Sequence, residues 1–137
     1  MRASLLALAL ACASATPTPP PGPEVSLGAL PLRLAPPAGW ALSTQPDGGV
    51  ILGPQEKLRH PSWIRVDPGA EATTEATGWL APLEEKLLRP DPEVELEITR
   101  LTGTFAVGRA RYPVQADVAR RAELPEVRAS LETLRAR

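Results

Sequence analysis

Apolar residues alternate with polar or small ones at several places along the 137-residue chain. A period of two predicts half-buried strands. Leu30, Leu32 and Leu34 form the first such run, broken by Pro36-Pro37-Ala38-Gly39. Extended chain resumes at Trp40-Ala41-Leu42-Ser43 and turns at Gln45-Pro46-Asp47-Gly48-Gly49, where Pro presets φ and Gly accepts positive φ. Val50-Ile51-Leu52 is the returning arm of this hairpin. Residues 53–61 read as a loop, and Trp63-Ile64-Arg65-Val66 as a further short strand closed by Asp67-Pro68-Gly69.

From Thr74 to Leu88 the spacing changes. Ala76, Trp79, Leu80, Leu83 and Leu87 fall three and four apart, as on one apolar stripe of a helix. Pro82 lies within it, so a kink is expected there, or two short helices. Alternation returns at Val94, Leu96 and Ile98, with Glu93, Glu95 and Glu97 between them. A second strand is predicted over Thr104–Tyr112, joined to the first by a three-residue loop at Leu101-Thr102-Gly103 with Gly103 left-handed. That register sets Glu95 against Arg109 and Glu93 against Arg111 on one face, and Ile98, Leu96 and Val94 against Ala106, Gly108 and Ala110 on the other. A final helix is predicted from Pro125 to Arg135, with Val127, Leu131 and Leu134 on one side. The fold class expected is α+β: a small antiparallel sheet packed by a central helix, kinked near Pro82, and a C-terminal helix.

The N-terminus is of another character. Met1-Arg2 is followed by the apolar run Leu5–Ala11, too short to cross a bilayer of about 30 Å, and then by the small residues Ala11–Ala15 around Cys12. This is the layout of an export signal over residues 1–15. The segment Leu8-Ala9-Leu10-Ala11-Cys12 resembles a bacterial lipoprotein signal, whose cysteine is lipidated and becomes the mature N-terminus. That resemblance implies lipidation of Cys12, although Ala9 stands where leucine is usual. Cleavage at Ala13-Ser14-Ala15, releasing a soluble protein, is the other reading. Thr16-Pro17-Thr18-Pro19-Pro20-Pro21-Gly22-Pro23 favours extended polyproline II, so residues 16–28 are expected to be a spacer and residues 29–137 a single domain.

Composition narrows the chemistry. The chain has one cysteine and one histidine, which excludes zinc clusters of the usual kind and disulfides within the body. A net charge of −1 carries no basic excess to draw nucleic acid. No metal or cofactor is expected. Ser62, His60 and Asp67 are the only nearby members for a serine hydrolase set, but Ser62 lacks the G-x-S-x-G surroundings of a nucleophile elbow. The acidic run 91–97 reads as a solvated charged face. Trp40 and Trp63 are candidate partner or ligand surfaces, should either be exposed. Arg120 and Arg121 read as a solvated face.

The run Leu32-Arg33-Leu34-Ala35-Pro36-Pro37-Ala38-Gly39-Trp40 is similar to the opening of PsbP-like domains, which include bacterial DcrB-type lipoproteins. The order of a Trp63–Val66 strand, a helix, a Gly103-containing hairpin and a C-terminal helix is also similar. The resemblance implies an antiparallel sheet flanked by helices and a binding or accessory role without a transferable site; this chain departs from it after Tyr112, where there is little room for further strands and a truncated sheet is expected. The expectation is therefore a lipid-anchored, non-catalytic accessory or binding module of the bacterial cell envelope, reaching the membrane through its lipid and binding an envelope protein or small ligand. The alternatives are a small secreted hydrolase using Ser62 and His60, and a soluble periplasmic ligand-binding domain.

Overall fold

The longest run of strand is where the sequence suggested a hairpin. In the computed structural model, which describes residues 17–91, 93 and 95–137, Ile98–Val118 is one continuous strand, β8. It crosses Gly103 without a loop and continues well past Tyr112. Before it come β1 (Val25–Ser26), β2 (Leu32–Leu34), β3 (Trp40–Thr44), β4 (Val50–Pro54), β5 (Trp63–Val66), β6 (Glu71–Trp79) and β7 (Glu84–Leu88). After it come a 3-10 turn (Arg121–Glu123), a nine-residue helix α1 (Leu124–Glu132) and β9 (Arg135–Ala136).

β8 organises the large antiparallel sheet. It pairs in succession with β5 (Trp63 opposite Asp117), β6 (Trp79 opposite Phe105) and β7 (Leu88 opposite Ile98). Between these stretches Asp67 N–H donates to Pro113 O and Arg111 N–H to Ala70 O, so β5, β6 and β7 follow one edge of β8 as a long interrupted hairpin. At Gly69 the chains run so close that a β-carbon would overlap the Arg111 carbonyl. The hairpin β3–β4 adds to the far edge of β5.

The two halves of β8 send residues of opposite parity into the core cluster. Leu101 and Phe105 face the core in the first half, and Tyr112, Val114, Ala116 and Val118 in the second. Gly108, at φ +62°, lies between them, and the pairing with β6 shifts register between Glu71 and Ala76. Such a bulge exchanges the faces of a strand and bends it. The bend is large. Arg100 donates from Nε and Nη2 to both carboxylate oxygens of Asp117, at 2.8 and 2.9 Å. Seventeen residues of straight strand would hold them roughly 56 Å apart. β8 therefore doubles back until its ends meet around the core.

The predicted α+β architecture is thus corrected to a mostly antiparallel β fold with one short helix among the described residues. No central helix exists: the segment 74–88 belongs to β6 and β7, with the Pro82 interruption between them. Thr74 and Thr77 weaken its helix propensity, Gly78 takes φ +99°, and Pro82 denies a hydrogen bond. The supposed stripe is also not buried as one, because Leu80 and Leu87 are about half exposed, at 50% and 51%. The pairing of Glu95 with Arg109 is likewise not made. Glu95 lies between β7 and β8, Ala106 and Gly108 pair with Gly78 and Ala76, and Val94 is outside the described residues. Gly103 has no positive φ. It is small because Leu83 and Trp79 pack over it, where a β-carbon would stand 2.8 Å from Leu83 Cδ2 and 3.1 Å from Trp79 Cζ3.

Strands β2, β3, β4 and β5 lie close to the predicted positions, whereas β1 and β9 fall where a spacer and the end of a helix were expected. The turn at 45–49 closes through Gln45 N–H to Gly49 O, with Gly48 at φ +89° and Gly49 N–H on Asp47 Oδ1. Helix α1 begins with Pro125 in its first turn and buries Val127 and Leu131 against the core. β9 then pairs with β2, and β2 with β1, in a second small sheet. The packed body begins earlier than position 29: Gly22 N–H donates to Pro36 O at 2.6 Å, Val25–Ser26 form β1, and Leu27 is fully buried.

Candidate functional site

Alternation along β4 and β5 sorts their side chains between two faces. Val50, Leu52, Ile64 and Val66 are fully buried in the core. Ile51, Gly53, Trp63 and Arg65 therefore face outward. Of the three tryptophans, Trp40 and Trp79 pack against the core cluster, and Trp79 meets the Phe105 ring edge-on at 5.4 Å. Trp63 is half-buried without belonging to that cluster. Its indole helps line a groove of about 290 Å³, with Ile51, Gly53, Pro54, Pro61 and Arg65 completing the walls.

Two features shape this groove. Gly53 leaves open the space a side chain would fill, and the nearest atom to a β-carbon built there is Ser62 O at 3.6 Å. Arg65 closes one side as a fixed cation. Its Nε donates to Asp67 Oδ1 at 2.7 Å and its Nη2 to Asp47 Oδ2 at 3.1 Å. The hydrogen bond and charge of Asp67, with a smaller contribution from Asp47, raise its pKa further above the ordinary arginine value. The arrangement offers an apolar platform with a rigid, charge-neutralised donor beside it. That chemistry suits an uncharged ligand presenting a flat apolar surface and hydrogen-bond acceptors.

Ser62 borders the groove but is fully buried. Its hydroxyl donates to Glu123 Oε1 at 3.1 Å and accepts from Ala119 N–H at 2.8 Å. Arg120 pairs with Glu123 at 2.8 Å and donates to the His60 carbonyl. These contacts fasten the approach to β5 onto the turn after β8. The exposed His60 ring makes no hydrogen bond to Ser62, and Asp67 is held by Arg65, so the three hydrolase candidates are not assembled as a triad. A second and larger cleft, about 640 Å³, lies where the β7–β8 connection approaches the turn after β8. Arg89, Asp91, Glu95 and Glu97 line one part of it and Arg121 another, and Arg89 is paired with Glu97 at 2.7 Å. Among the described residues no three His, Cys, Asp or Glu side chains converge as metal ligands would, and no helix is long and apolar enough to cross a membrane. Cys12 and the predicted signal lie outside the described residues.

Sequence reasoning singled out Trp63 but missed its companions. The available signal was Val50-Ile51-Leu52: three apolar residues in a row on a two-faced strand place one of them outward.

No family model matches the chain, and no curated protein matches it either. Among solved structures, a crystal structure from Bacteroides thetaiotaomicron VPI-5482, at 1.50 Å resolution, superposes with a TM-score of 0.60 and 12% sequence identity. The match covers 85% of this chain and 48% of that one, so the chain spans about half the length of its structural neighbour. At this identity the likeness is one of fold alone.

Proposed function

We propose that the protein is an exported, lipid-anchored accessory module of the bacterial cell envelope, binding its partner through the groove beside Trp63. The signal-like segment 1–15, Cys12 and the proline-rich run after it support the address. The groove carries the functional half of the reading. It places an aromatic ring on the outward face of a sheet whose other two tryptophans serve the core.

Intact mass spectrometry of the protein from membranes, with Cys12→Ala as control, is expected to show the mass of a diacylglyceryl cysteine at position 12. A free N-terminus at Ser14 or beyond overturns the anchor. Photo-crosslinking in envelope extract tests the groove, with loss of the wild-type adducts expected in Trp63→Ala. Adducts that are indifferent to Trp63 refute its role.

A further inference from the structure

We propose that the groove beside Trp63 receives a proline-rich chain in the polyproline II conformation, and that its occupant is Pro17–Pro20 of a second copy of this protein. The inference rests on reading the groove as a binding site. It deepens that reading by naming the ligand.

The walls match such a ligand. Polyproline II chains have no internal hydrogen bonds, so they present ring faces along the sides and unpaired carbonyls between them. The groove presents Trp63, Ile51, Pro54 and Pro61 to the rings, with a gap above Gly53 for one ring to enter. Arg65 spends Nε and Nη2 on the two aspartates and, at 36% side-chain exposure, keeps Nη1 for a carbonyl. A chain already fixed in its bound conformation also loses little entropy on docking, which is why aromatic-lined grooves take such segments. Charge agrees. Pro17-Thr18-Pro19-Pro20 is uncharged, and the groove's single cation is neutralised by Asp47 and Asp67.

This chain presents such a segment. Residues 17–20 are exposed, while the chain becomes fastened to the body only at Gly22, on Pro36. At ~3.1 Å per residue the four residues reach about 12 Å outward. They contribute nothing to the walls of their own groove, which leaves a neighbouring copy as the recipient. Anchoring on one membrane would raise the effective concentration of one copy at another.

The test uses the full chain and the synthetic peptide Thr-Pro-Thr-Pro-Pro-Pro-Gly-Pro, with a control in which its second, third and fourth prolines are replaced by glycine. Calorimetric titration is expected to show binding of the proline peptide only. Trp63→Ala and Gly53→Val are each expected to weaken it about tenfold or more, the scale for truncating an aromatic anchor. Gly53→Val fills the gap while retaining Trp63; its position has ordinary φ and room for a β-carbon, and a circular dichroism melt matching wild type is expected to show the fold kept. In sedimentation velocity the wild-type chain self-associates with concentration, and the double substitution Pro19→Gly and Pro20→Gly abolishes this. Equal binding of the two peptides, or undiminished binding by Gly53→Val, overturns the ligand class. Peptide binding without self-association overturns the second copy as occupant. If the peptide fails while Trp63-dependent crosslinks persist, this inference falls and the proposed function stands; if both fail, both fall.

Discussion

Removing Arg100 should destabilise the protein more than removing Asp117, although they share one interaction. The side chain of Asp117 is 9% exposed and that of Arg100 37%. Arg100→Ala leaves a carboxylate buried beside Gln115, whose Nε2 stands 3.4 Å away and cannot replace two charged hydrogen bonds. Breaking a buried pair in this way costs about 3 kcal/mol or more. Asp117→Ala leaves a guanidinium that can turn to water, at a cost of about 1–2 kcal/mol for the hydrogen bonds lost. Urea unfolding followed by tryptophan fluorescence measures both, and a double-mutant cycle isolates their coupling. For a domain of this size a loss of 3 kcal/mol lowers Tm by roughly 12 °C. Because the pair joins the two ends of β8, hydrogen exchange in Arg100→Ala should also quicken at Leu101 and Ala116. Equal losses, or a loss below about 1 kcal/mol for Arg100→Ala, would show that the doubling of β8 does not depend on this clamp.

Ser62→Ala is expected to cost about 1–3 kcal/mol by leaving Ala119 N–H and Glu123 without their shared hydroxyl, and to change no hydrolytic activity; a thermal melt and an ester screen check both. Gly69→Ala drives a methyl into the Arg111 carbonyl and should lose at least ~3 kcal/mol, with β6 amides exchanging first; a neutral melt would refute the close approach. The Glu24 carboxyl is held below its ordinary value of 4.5 by its hydrogen bond from Arg135 and by the charges of Arg135 and Arg33. A lowered folded pKa means the contribution of Glu24 is present above that ordinary value and fades as pH falls through the lower one. The Tm difference between wild type and Glu24→Gln should therefore be visible at neutral pH and vanish in acid. A constant difference across that range would refute it.

What could be read from the sequence was local. The turn at Asp47-Gly48, the strand Trp63–Val66 and the proline-led helix α1 each depend on neighbours within a few residues, and each lies where its pattern suggested. The segment 74–88 failed because its state is set from a distance. β8 needs a partner along its length, and this pairing overrides a spacing that also fits a helix. Gly103 misled for a related reason: a glycine missing its side chain for the sake of Trp79 looks the same in sequence as one needed for a turn. The site was half legible. Alternation places Trp63 and Arg65 together, but the groove also needs Gly53 and Ile51 from the next strand. Which strand lies beside β5 is a tertiary fact.

The pairing of β2 with β9 has a consequence for synthesis. Glu24 and Arg135 bond across a separation of 111 residues, and Ala35 N–H reaches Thr133 Oγ1 across 98. The segment 24–35 therefore emerges from the ribosome, or from a translocation pore, long before the residues that complete its sheet. Until they arrive, β2 has β1 on one edge and nothing on the other, while Leu27, Leu32 and Leu34 lack Val127, Leu131 and Leu134 of their core cluster. The hairpin β7–β8 can zip as soon as it is made, but the small sheet must wait. Nascent chains halted before residue 133 should accordingly be cut by protease in 24–35 while β7–β8 is already protected. The order of assembly is built into which strand was given the distant partner.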